Sequence, residues 1–538
     1  MHLDPMAELI SRPSSTKRCG ARRGNRFGIA LTVVAALALN PARPAVAQGA
    51  TASAPASGPS ALEAAGADLL RALSGAAVSW VIADLESGST LHEHQPDLLL
   101  TPGSNQKTLT AVAALARLGP DFRFDTRLEM NGVLEQGRLH GDLVIRPSGD
   151  PTLSRRFLGG DGGEAAMQDL AAQVASAGVI EVTGQLVLDA TTWDSLQIVD
   201  SWMASDLPFG YAARGGPFVL DEGTVEIIVD GRPDSAAARI AVRPSRWQAH
   251  VTGSVPLGAI RDSSSADAIT GPNHRWRLTG RQNALRVDTL RRAMANPALD
   301  ALHTLQLALQ DAGVMVRSGA RIAWRESHKI KSDCSLRYNT GPSATGPTES
   351  HTLGSLRSPP LVDILPAILG PSQNWMAEQL VRRLADGCIA PGASAPLEGS
   401  WELGLDQLKA TLGQEFGISP NAIDARDGSG LSPYNLTTTR ALVLALLGAQ
   451  KRPWGAGFQR ALAEPGELQS TLERRLRTLE GRLFAKTGSL THVNSLSGYL
   501  VRDDGSEIVF SVITNTSGRS AAAVRSAIDR WILAVAAS

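Results

Sequence analysis

The segment "TPGSNQKTLTAVAALARLGP", residues 101 to 120, places Ser104 and Lys107 three residues apart at the start of an apolar helical pattern. A Pro-Gly pair before this pattern and a Gly-Pro pair after it are typical of helix boundaries. A serine and a lysine at i and i+3 share one helix face, so the amine can reach the hydroxyl. The motif alone is weak, because a surface lysine gives the same pattern and Ser14 and Lys17 repeat it.

Lysine is scarce in this chain, which has seven lysines among its 52 basic residues. Arginine stays protonated at neutral pH, whereas burial or a neighbouring cation can make a lysine neutral and therefore basic. Each lysine is thus a candidate base or anion ligand. Two of them lie in patterns that fit this chemistry, Lys107 and Lys486, the second within "FAKTGSLTHV".

A second element, "GPSQNWMAEQLVRRLA", presents Ser372 and Asn374 at the start of an apolar helical run. In one turn, a hydroxyl can pass a proton while an amide two residues later binds both a lysine and a substrate. Taken alone, the two residues are more often a helix cap.

A third element, Lys486-Thr487-Gly488, lies in a short apolar segment that we expect to be a strand. A cation and a hydroxyl on one strand face can bind a carboxylate, and the glycine lets one backbone approach another. Taken alone, a lysine at a strand edge is ordinary protection against edge-to-edge pairing.

The order Ser-x-x-Lys, Ser-x-Asn, Lys-Thr-Gly is the combination used by penicillin-binding proteins and class A β-lactamases. We therefore interpret Lys107 as the base that accepts the proton of Ser104. The gap between Ser104 and Ser372 is more than twice that between Ser372 and Lys486. In a compact β-lactamase-like domain the first gap is far shorter, so a long segment is inserted here between the first two motifs.

The chain resembles the D-alanyl-D-alanine carboxypeptidase/endopeptidase family, the class C low-molecular-mass penicillin-binding proteins with two nested inserted domains. The stretches "LGPDFRFDTRLEMNG", "GDLVIRPSGDPTL" and "ARDGSGLSPYNL" are also similar to that family, and the resemblance runs from about residue 60 to the end. It implies an α+β fold, a penicillin-binding/β-lactamase-like transpeptidase domain with helices on both faces of an antiparallel sheet. This domain would carry two nested β-rich inserted domains.

The domain boundaries are predicted from the positions of the motifs and from changes in the residue pattern along the chain. We expect a catalytic domain at 61–125 and 351–538, a first inserted domain at 126–190 and 278–340, and a second at 191–277. The inserted segments alternate apolar and polar residues with frequent Gly and Asp, which predicts short strands and turns.

The N-terminal residues 1–47 have the pattern of a secretory signal peptide, with several arginines before "FGIALTVVAALAL" and then "AVA". Residues 48–60 are rich in Ala, Ser, Pro and Gly and are expected to be a flexible linker. No other segment has the ~18 consecutive apolar residues of a membrane span, so we expect a periplasmic protein without an integral span. In that compartment Cys334 and Cys388 are either a disulfide or two thiols.

The charge composition limits the kinds of partner. The 52 basic and 52 acidic residues cancel, which argues against nucleic acid and against a polyanionic partner. The ten scattered histidines show no metal-ligand spacing, so we expect neither a metal nor a cofactor. The partners that the resemblance implies are peptidoglycan peptides and, as covalent inhibitors, β-lactams.

The resemblance implies a serine DD-peptidase that acts through an acyl-enzyme and is inhibited by penicillin. It would be a D-Ala-D-Ala carboxypeptidase, a D-Ala-meso-diaminopimelate endopeptidase, or both. Ser104 is the expected nucleophile and Lys107 its base, kept neutral partly by the nearby cation Lys486. Ser372 would relay the proton to the leaving amine, and Asn374 would hold Lys107 and the substrate in register.

The resemblance also implies which groups bind the substrate. Lys486 and Thr487, next to Gly488, would bind the terminal carboxylate. Backbone N–H groups of Ser104 and Ser489 would stabilise the oxyanion.

Six further residues bear on the cleft. Asp206 would bind the amino end of a diaminopimelate side chain, whereas Glu402 stands where several family members have an arginine for that side chain's carboxylate. In "DGSGLSPYN", Ser432 and Asn435 have the wrong spacing for the second motif. Asp427 and Ser429 in the same stretch are therefore expected to shape the cleft or to pack beneath it.

Two alternatives stay open at this point. One is a β-lactamase or esterase on the same fold. The other is a non-catalytic cell-wall-binding or scaffolding protein, whose inserted domains would carry the function.

Overall fold

The computed structural model describes residues 60–232, 236–272, 275–324, 351–388 and 397–538. The predicted signal peptide, the predicted linker except its last residue, and Cys334 lie outside these described residues. No helix within the described ranges is both long and apolar enough to cross a membrane.

The first described elements surround the Ser-x-x-Lys motif. They are α1 (Ala61–Ala72), β1 (Ala77–Asp84), β2 (Thr90–His94), a 3-10 turn at Gly103–Asn105 and α2 (Gln106–Leu118). Ser60 caps α1 through a capping box with Glu63, as the serine three residues before an acid predicts. The first ten residues of α2 are buried, so this helix lies in the interior of the domain.

The next segment forms most of a mixed sheet. Its elements are β3 (Asp125–Glu135), β4 (Arg138–Arg146), α3 (Arg155–Leu158), α4 (Gly163–Ser176), β5 (Glu181–Val182) and β6 (Leu186–Ala190). β3 and β4 form an antiparallel hairpin, and β4 also pairs in parallel with β5 and β6.

A second group of short strands follows. It contains 3-10 turns at Gly210–Ala212, Asp221–Gly223 and Ser245–His250, and the strands β7 (Thr224–Asp230), β8 (Arg239–Arg243), β9 (Val251–Thr252), β10 (Leu257–Gly258), β11 (Asp267–Thr270), β12 (Trp276–Thr279), β13 (Gln282–Asn283) and β14 (Val287–Ala293). Two three-stranded sheets, β14-β7-β8 and β11-β12-β9, and the pair β10-β13 enclose a core that includes Trp276 and Leu278. Because β14 pairs with β7, this group continues to Ala293, past the predicted end at residue 277.

The chain then returns to the first inserted sheet with α5 (Pro297–Asp311), β15 (Met315–Val316), β16 (Ala320–Trp324) and β17 (Thr352–Arg357). The strand order is β15-β5-β4-β3-β17, with β6 bonded to both β4 and β16. The domain boundaries proposed from the sequence stay predictions.

The helices α4 and α5 were not predicted from the sequence, which indicated only strands and turns in this region. In α4, the buried residues Met167, Leu170, Ala171 and Val174 recur at helical spacing and pack on the mixed sheet. The frequent Gly and Asp residues on either side obscured this period.

The C-terminal part supplies the remaining elements: α6 (Leu361–Leu369), α7 (Asn374–Arg383), α8 (Trp401–Phe416), a 3-10 turn at Pro420–Ala422, β18 (Ile423–Asp424), β19 (Leu436–Thr437), α9 (Thr439–Gln450), α10 (Gly455–Ala461), a 3-10 turn at Arg477–Leu479, β20 (Leu483–Leu490), β21 (Val493–Val501), β22 (Glu507–Asn515) and α11 (Ala521–Ala536). The last two strands pair antiparallel on either side of the turn at Asp504 and Gly505, and α11 follows.

The central sheet has the order β2-β1-β22-β21-β20, and each neighbouring pair is antiparallel. Alternate residues of β1 face opposite cores. Trp80 and Ile82 pack with α1 and α11, whereas Val81 and Ala83 pack with α2 and the helices from α6 to α10. The sheet therefore has helices on both faces, as the sequence predicted.

A buried arginine joins the inserted segment to the catalytic helices. Arg382 on α7 is fully buried and donates to the Asp194 carbonyl at 3.0 Å and to Asp194 Oδ1 at 2.9 Å. Its guanidinium also stacks over the rings of Trp193 and Trp401, 5.1 and 4.6 Å from their centroids. Burial lowers the pKa of Arg382, and the charge of Asp194 opposes that change.

We expect Asp194→Asn to lower the free energy of unfolding by about 3 to 5 kcal/mol, because it leaves the buried Arg382 cation uncompensated. Denaturant unfolding measures this change. The control is Asp406→Asn, since Asp406 pairs loosely with Lys409 on the surface and should shift stability by under about 1 kcal/mol. Equal stability of the two variants would contradict the prediction.

Candidate active site

Lys107 contacts the predicted nucleophile directly. Ser104 lies in the 3-10 turn before α2, and Lys107 is the second residue of the helix and fully buried. Lys107 Nζ lies 3.0 Å from Ser104 Oγ, 2.6 Å from Asn374 Oδ1 and 2.6 Å from the Ser429 carbonyl oxygen. A neutral amine in this position donates to the last two oxygens and keeps a lone pair for the serine hydroxyl. The arrangement can therefore take up the serine proton.

Burial determines the charge of Lys107. Removal from water lowers the pKa of its amine to about 7, while the charges of Asp427 and Glu378 act in the opposite direction. From the sequence, Lys486 was expected to contribute to the neutrality of Lys107. In the structure, burial is the main cause for Lys107.

Lys486 lies on β20 and is also fully buried. Burial and, second, repulsion by Lys107 lower the pKa of its amine well below the usual value for lysine. Its Nζ donates to the Thr487 carbonyl at 2.8 Å. Two amines in one dry site disfavour a second positive charge, so a substrate carboxylate would favour protonation of Lys486.

The glycine of the third motif packs against the turn that carries the nucleophile. A Cβ atom at Gly488 would overlap the Pro102 carbonyl oxygen and the Ser495 hydroxyl, and would lie 3.1 Å from Ser104 N. Reciprocally, a Cβ atom at Gly103 would lie 3.1 Å from the backbone nitrogen of Ser489. The two backbone N–H groups expected at the oxyanion thus come from segments in close contact.

Hydrogen bonds of Ser495 on β21 stabilise this contact. Its Oγ donates to the Pro102 carbonyl at 2.6 Å and accepts from Asn105 Nδ2, also at 2.6 Å. The position of the Ser104 turn is therefore fixed by the same sheet that carries Lys486.

Asn374 is the first residue of α7, and both ends of its amide are bonded. Its Oδ1 accepts from Lys107, and its Nδ2 donates to the Tyr211 carbonyl at 2.8 Å. Because the two bonds require opposite ends of the amide, they fix its orientation. One N–H of the amide stays available for a substrate.

Ser372 lies in the turn between α6 and α7, with a left-handed backbone (φ 64°) that is uncommon outside glycine. Within the described residues, its hydroxyl forms no hydrogen bond with Ser104 or Lys107. The structure brings Ser372 to the end of the helix that presents Asn374. Its role in proton transfer stays a prediction.

Most of the chain matches a known protein family. Residues 60–332 and 340–535 match the D-Ala-D-Ala carboxypeptidase 3 (S13) family. The chain belongs to this family. Both the predicted family and the predicted enzyme class, a serine-type D-Ala-D-Ala carboxypeptidase, are confirmed.

Individual relatives agree with this assignment. The chain is 30% identical to the D-alanyl-D-alanine carboxypeptidase of Actinomadura sp., over 97% of this chain and 93% of that protein. It is 24% identical to the D-alanyl-D-alanine carboxypeptidase DacB of Haemophilus influenzae, over 82% and 86%. The crystal structure of penicillin binding protein 4 (dacB) from Haemophilus influenzae has a TM-score of 0.65 at 23% identity, covering 86% of this chain and 97% of that one. This likeness confirms the predicted fold class.

Glu378, a buried carboxylate beneath the site of this S13-family carboxypeptidase, was not predicted from the sequence. Glu378 on α7 accepts from the backbone N–H groups of Gly428 at 2.9 Å and Ser429 at 2.8 Å, and from Trp401 Nε1 at 2.9 Å. It therefore holds the loop whose Ser429 carbonyl binds Lys107. Burial, and second the charge of Asp427, raise the pKa of Glu378 to about 7. The available signal was its spacing, since Glu378 lies four residues after Asn374 and so shares a face of α7 with it.

Asp427 packs under the same loop, in the position expected from the sequence. It accepts from the backbone N–H groups of Gly430 at 2.7 Å and Ser432 at 2.6 Å, and from Asn435 Nδ2 at 2.8 Å. Trp202 of the inserted segment donates to Asp427 Oδ2, which also accepts from Ser432, at 2.9 Å. Asn435 therefore stabilises this loop through its hydrogen bond to Asp427.

Asp206 and Glu402 lie on different elements. Asp206 is partly exposed and accepts from the Tyr211 hydroxyl at 3.1 Å. Burial, and second the bond to Asp206, raise the pKa of Tyr211 to about 12. Tyr211 is thus bonded to Asp206 through its hydroxyl and to Asn374 through its carbonyl. Glu402 is exposed on the first turn of α8.

We expect kcat/KM for D-Ala release to rise with pH around a midpoint of about 7 and to level off at higher pH, because Lys107 must be neutral to accept a proton. Glu378→Gln should move the midpoint of this rise to lower pH, since the carboxylate that favours the protonated amine is gone. Glu402→Gln, an exposed control, should leave the midpoint unchanged. An unchanged midpoint in Glu378→Gln would contradict this electrostatic role.

We expect Gly488→Ala to lower kcat/KM by about 100-fold or more, because the methyl group forces β20 away from the Ser104 turn. Gly518→Ala is the matched control, since a Cβ atom there meets no atom within 4 Å. Steady-state assays with a peptide ending in D-Ala-D-Ala measure both. Full activity of Gly488→Ala would show that the close approach is not required.

Proposed function

We propose that this chain is a serine DD-peptidase of peptidoglycan stem peptides. It removes the terminal D-Ala of D-Ala-D-Ala peptides, cuts D-Ala-meso-diaminopimelate cross-links, or does both, through an acyl-enzyme that penicillin also forms. The observation that carries the proposal is the buried Lys107 amine, 3.0 Å from the Ser104 hydroxyl and with a pKa near neutrality. An amine in this state is both basic and within reach of the nucleophile.

The first step is acylation. Ser104 Oγ attacks the carbonyl carbon of the penultimate D-Ala while its proton passes to Lys107 Nζ. The C–N bond then breaks, and the leaving amine takes a proton from Lys107, with Ser372 as the proposed relay. Water next attacks the ester with Lys107 as base, which frees Ser104 and the shortened peptide.

Binding groups surround this centre. The backbone N–H groups of Ser104 and Ser489 are placed to stabilise the oxyanion, an interaction that is typically worth about 3 kcal/mol per donor. Lys486 and Thr487 are the proposed ligands of the terminal carboxylate. Thr487 is buried on the same strand as Lys486, so both groups meet the substrate only when it enters the cleft.

The proposed specificity for the side chain rests on Asp206. Its partly exposed carboxylate accepts from the hydroxyl of Tyr211, the residue whose carbonyl binds Asn374, and can bind an ammonium group, such as the amino end of diaminopimelate. Glu402 offers no positive charge for that side chain's carboxylate. We therefore propose recognition of the amino end without an arginine at position 402.

Inhibition by penicillin follows from the same chemistry. A β-lactam amide attacked by Ser104 forms an ester whose leaving amine stays tethered, so deacylation is slow. A β-lactamase or esterase would instead release the acyl group quickly. Fluorescent penicillin distinguishes these enzymes from a DD-peptidase, because only the DD-peptidase keeps a lasting label.

A periplasmic location, suggested by the signal-like N-terminus, gives access to the wall.

The decisive variants are Ser104→Ala and Lys107→Arg. Ser104→Ala removes the nucleophile and should lower D-Ala release from muropeptides by about 1000-fold or more. Lys107→Arg keeps a cation that cannot lose its proton at neutral pH, so it should be about as inactive. Ser74→Ala, at an exposed serine, is the control for the first variant.

Mass spectrometry of digested muropeptides and gel labelling with fluorescent penicillin give the readouts, and melting temperatures check that each variant is folded. Undiminished D-Ala release in a folded Ser104→Ala protein would refute the proposed nucleophile. A fully active Lys107→Arg protein would refute the proposed base.

A further inference from the structure

Three arginines lie along one β-hairpin of the inserted segment. β11 and β12 pair with Ile269 opposite Arg277, and bonds from Gly271 N to the Arg275 carbonyl and from Ser265 N to the Arg281 carbonyl continue the pairing at both ends. Arg275 and Arg277 are two residues apart, so they share a face of the hairpin and lie about 7 Å apart, whereas Arg281 follows Gly280, whose φ of 80° interrupts the strand. We call Arg275, Arg277 and Arg281 the arginine row.

The arginine row is exposed, whereas the residues that alternate with it, Trp276 and Leu278, are buried in the core of this segment. Within the described residues, none of the three guanidinium groups forms an ion pair with a carboxylate. Asp267 is the acid on the same hairpin, and it is bonded to the buried Arg292.

Ordinary explanations do not account for this row. Charged residues often protect edge strands, but β12 is the central strand of the sheet β11-β12-β9. The neighbours of Arg277 on both sides are uncharged, Ile269 on β11 and Thr252 on β9. Adjacent like charges on a sheet face are unfavourable unless a counter-charge binds them.

The surrounding composition is also basic. Residues 224–293 contain eleven arginines and no lysine against six acidic residues, although basic and acidic residues balance over the whole chain. Six of these arginines pair with carboxylates within the described residues. The positive charge that is left over includes the arginine row.

A continuous series of contacts connects the hairpin with the active site. Arg292, which is bonded to Asp267, has its guanidinium 4.9 Å from the centroid of the Phe209 ring. Phe209 stacks on Tyr211 with a centroid distance of 5.4 Å, and the Tyr211 carbonyl accepts from Asn374. The series joins Asp267, on the strand that pairs with β12, to the amide of Asn374.

We propose that the arginine row is a docking surface for a peptidoglycan strand, whose peptide carboxylates bind the guanidinium groups while another peptide of the polymer occupies the cleft. Arginine suits this ligand because its planar fork matches a carboxylate. The inference rests on the proposed function for the identity of the polymer. It goes beyond that function because it assigns a binding site outside the cleft, which acts on polymeric wall and not on short peptides.

Binding to purified sacculi tests the proposal. The variant is Arg275→Gln/Arg277→Gln/Arg281→Gln, studied in a Ser104→Ala background so that the wall is not digested. We expect sedimentation with sacculi at low salt to weaken about tenfold, since three exposed charge pairs are lost. The binding that is left should depend less on salt concentration than that of the parent.

The matched control removes the same charge elsewhere, as Arg460→Gln/Arg474→Gln/Arg530→Gln at three exposed arginines of the catalytic part. It should bind sacculi within about twofold of the parent. If the arginine-row variant also binds like the parent, or if the control loses as much affinity, the docking surface is refuted. With Ser104 intact, the arginine-row variant should release D-Ala from a soluble peptide at the normal rate and have an unchanged melting temperature.

Two modified walls identify the anion. Sacculi whose carboxylates have been amidated should bind the parent protein only as strongly as they bind the arginine-row variant. If amidation has no effect and removal of attached phosphodiester polymers abolishes binding instead, the carboxylate assignment is wrong. If the wild-type protein releases no D-Ala from the soluble peptide, the proposed function fails, whereas the sacculus comparison still decides the docking surface.

Discussion

The active site depends on one physical constraint, the removal of the Lys107 amine from water. An ammonium ion loses several kcal/mol of solvation free energy in the interior, so burial favours the neutral amine. Two neighbouring carboxylates, Asp427 and Glu378, oppose this effect, and the resulting pKa is about 7. A base is most useful when its pKa is close to the working pH, because it is then largely unprotonated and still basic. The depth of burial and the two acids together give Lys107 this property.

The spacing of motifs along the sequence predicted much of the site, for a physical reason. Ser104 and Lys107 are three residues apart on a helical turn, so their contact is local and follows from helix geometry. The close approach of Gly488 to the Ser104 turn was also predictable. A glycine within a buried strand has no side chain to pack, and it often marks a point where another backbone comes close. The predictions were weakest where a contact joins distant segments. The support that Glu378 gives to the 427–429 loop depends on tertiary packing that no local pattern reveals.

The inserted segment takes part in the site more directly than its position in the sequence suggests. The Tyr211 carbonyl orients the amide of Asn374, and Trp202 donates to Asp427 beneath the loop that binds Lys107. Arg382 and Asp194 form a third connection, in the interior. The sequence could not predict these contacts, since the donors and acceptors have no fixed spacing. Their effect is that a shift of the inserted segment would also move the amide that binds Lys107, the proposed base.

Net charge and local charge lead to different conclusions about partners. A balanced total excludes a strong long-range field, and on that ground a polyanionic partner was not expected. Screening limits the reach of exposed charges to about 10 Å at moderate salt, however, so binding depends on which charges lack a partner within that distance. On the hairpin of β11 and β12, the carboxylate of Asp267 is already engaged by the buried Arg292. Arg277 on the central strand is left with uncharged neighbours, and a balanced chain can still present a surface that favours an anion.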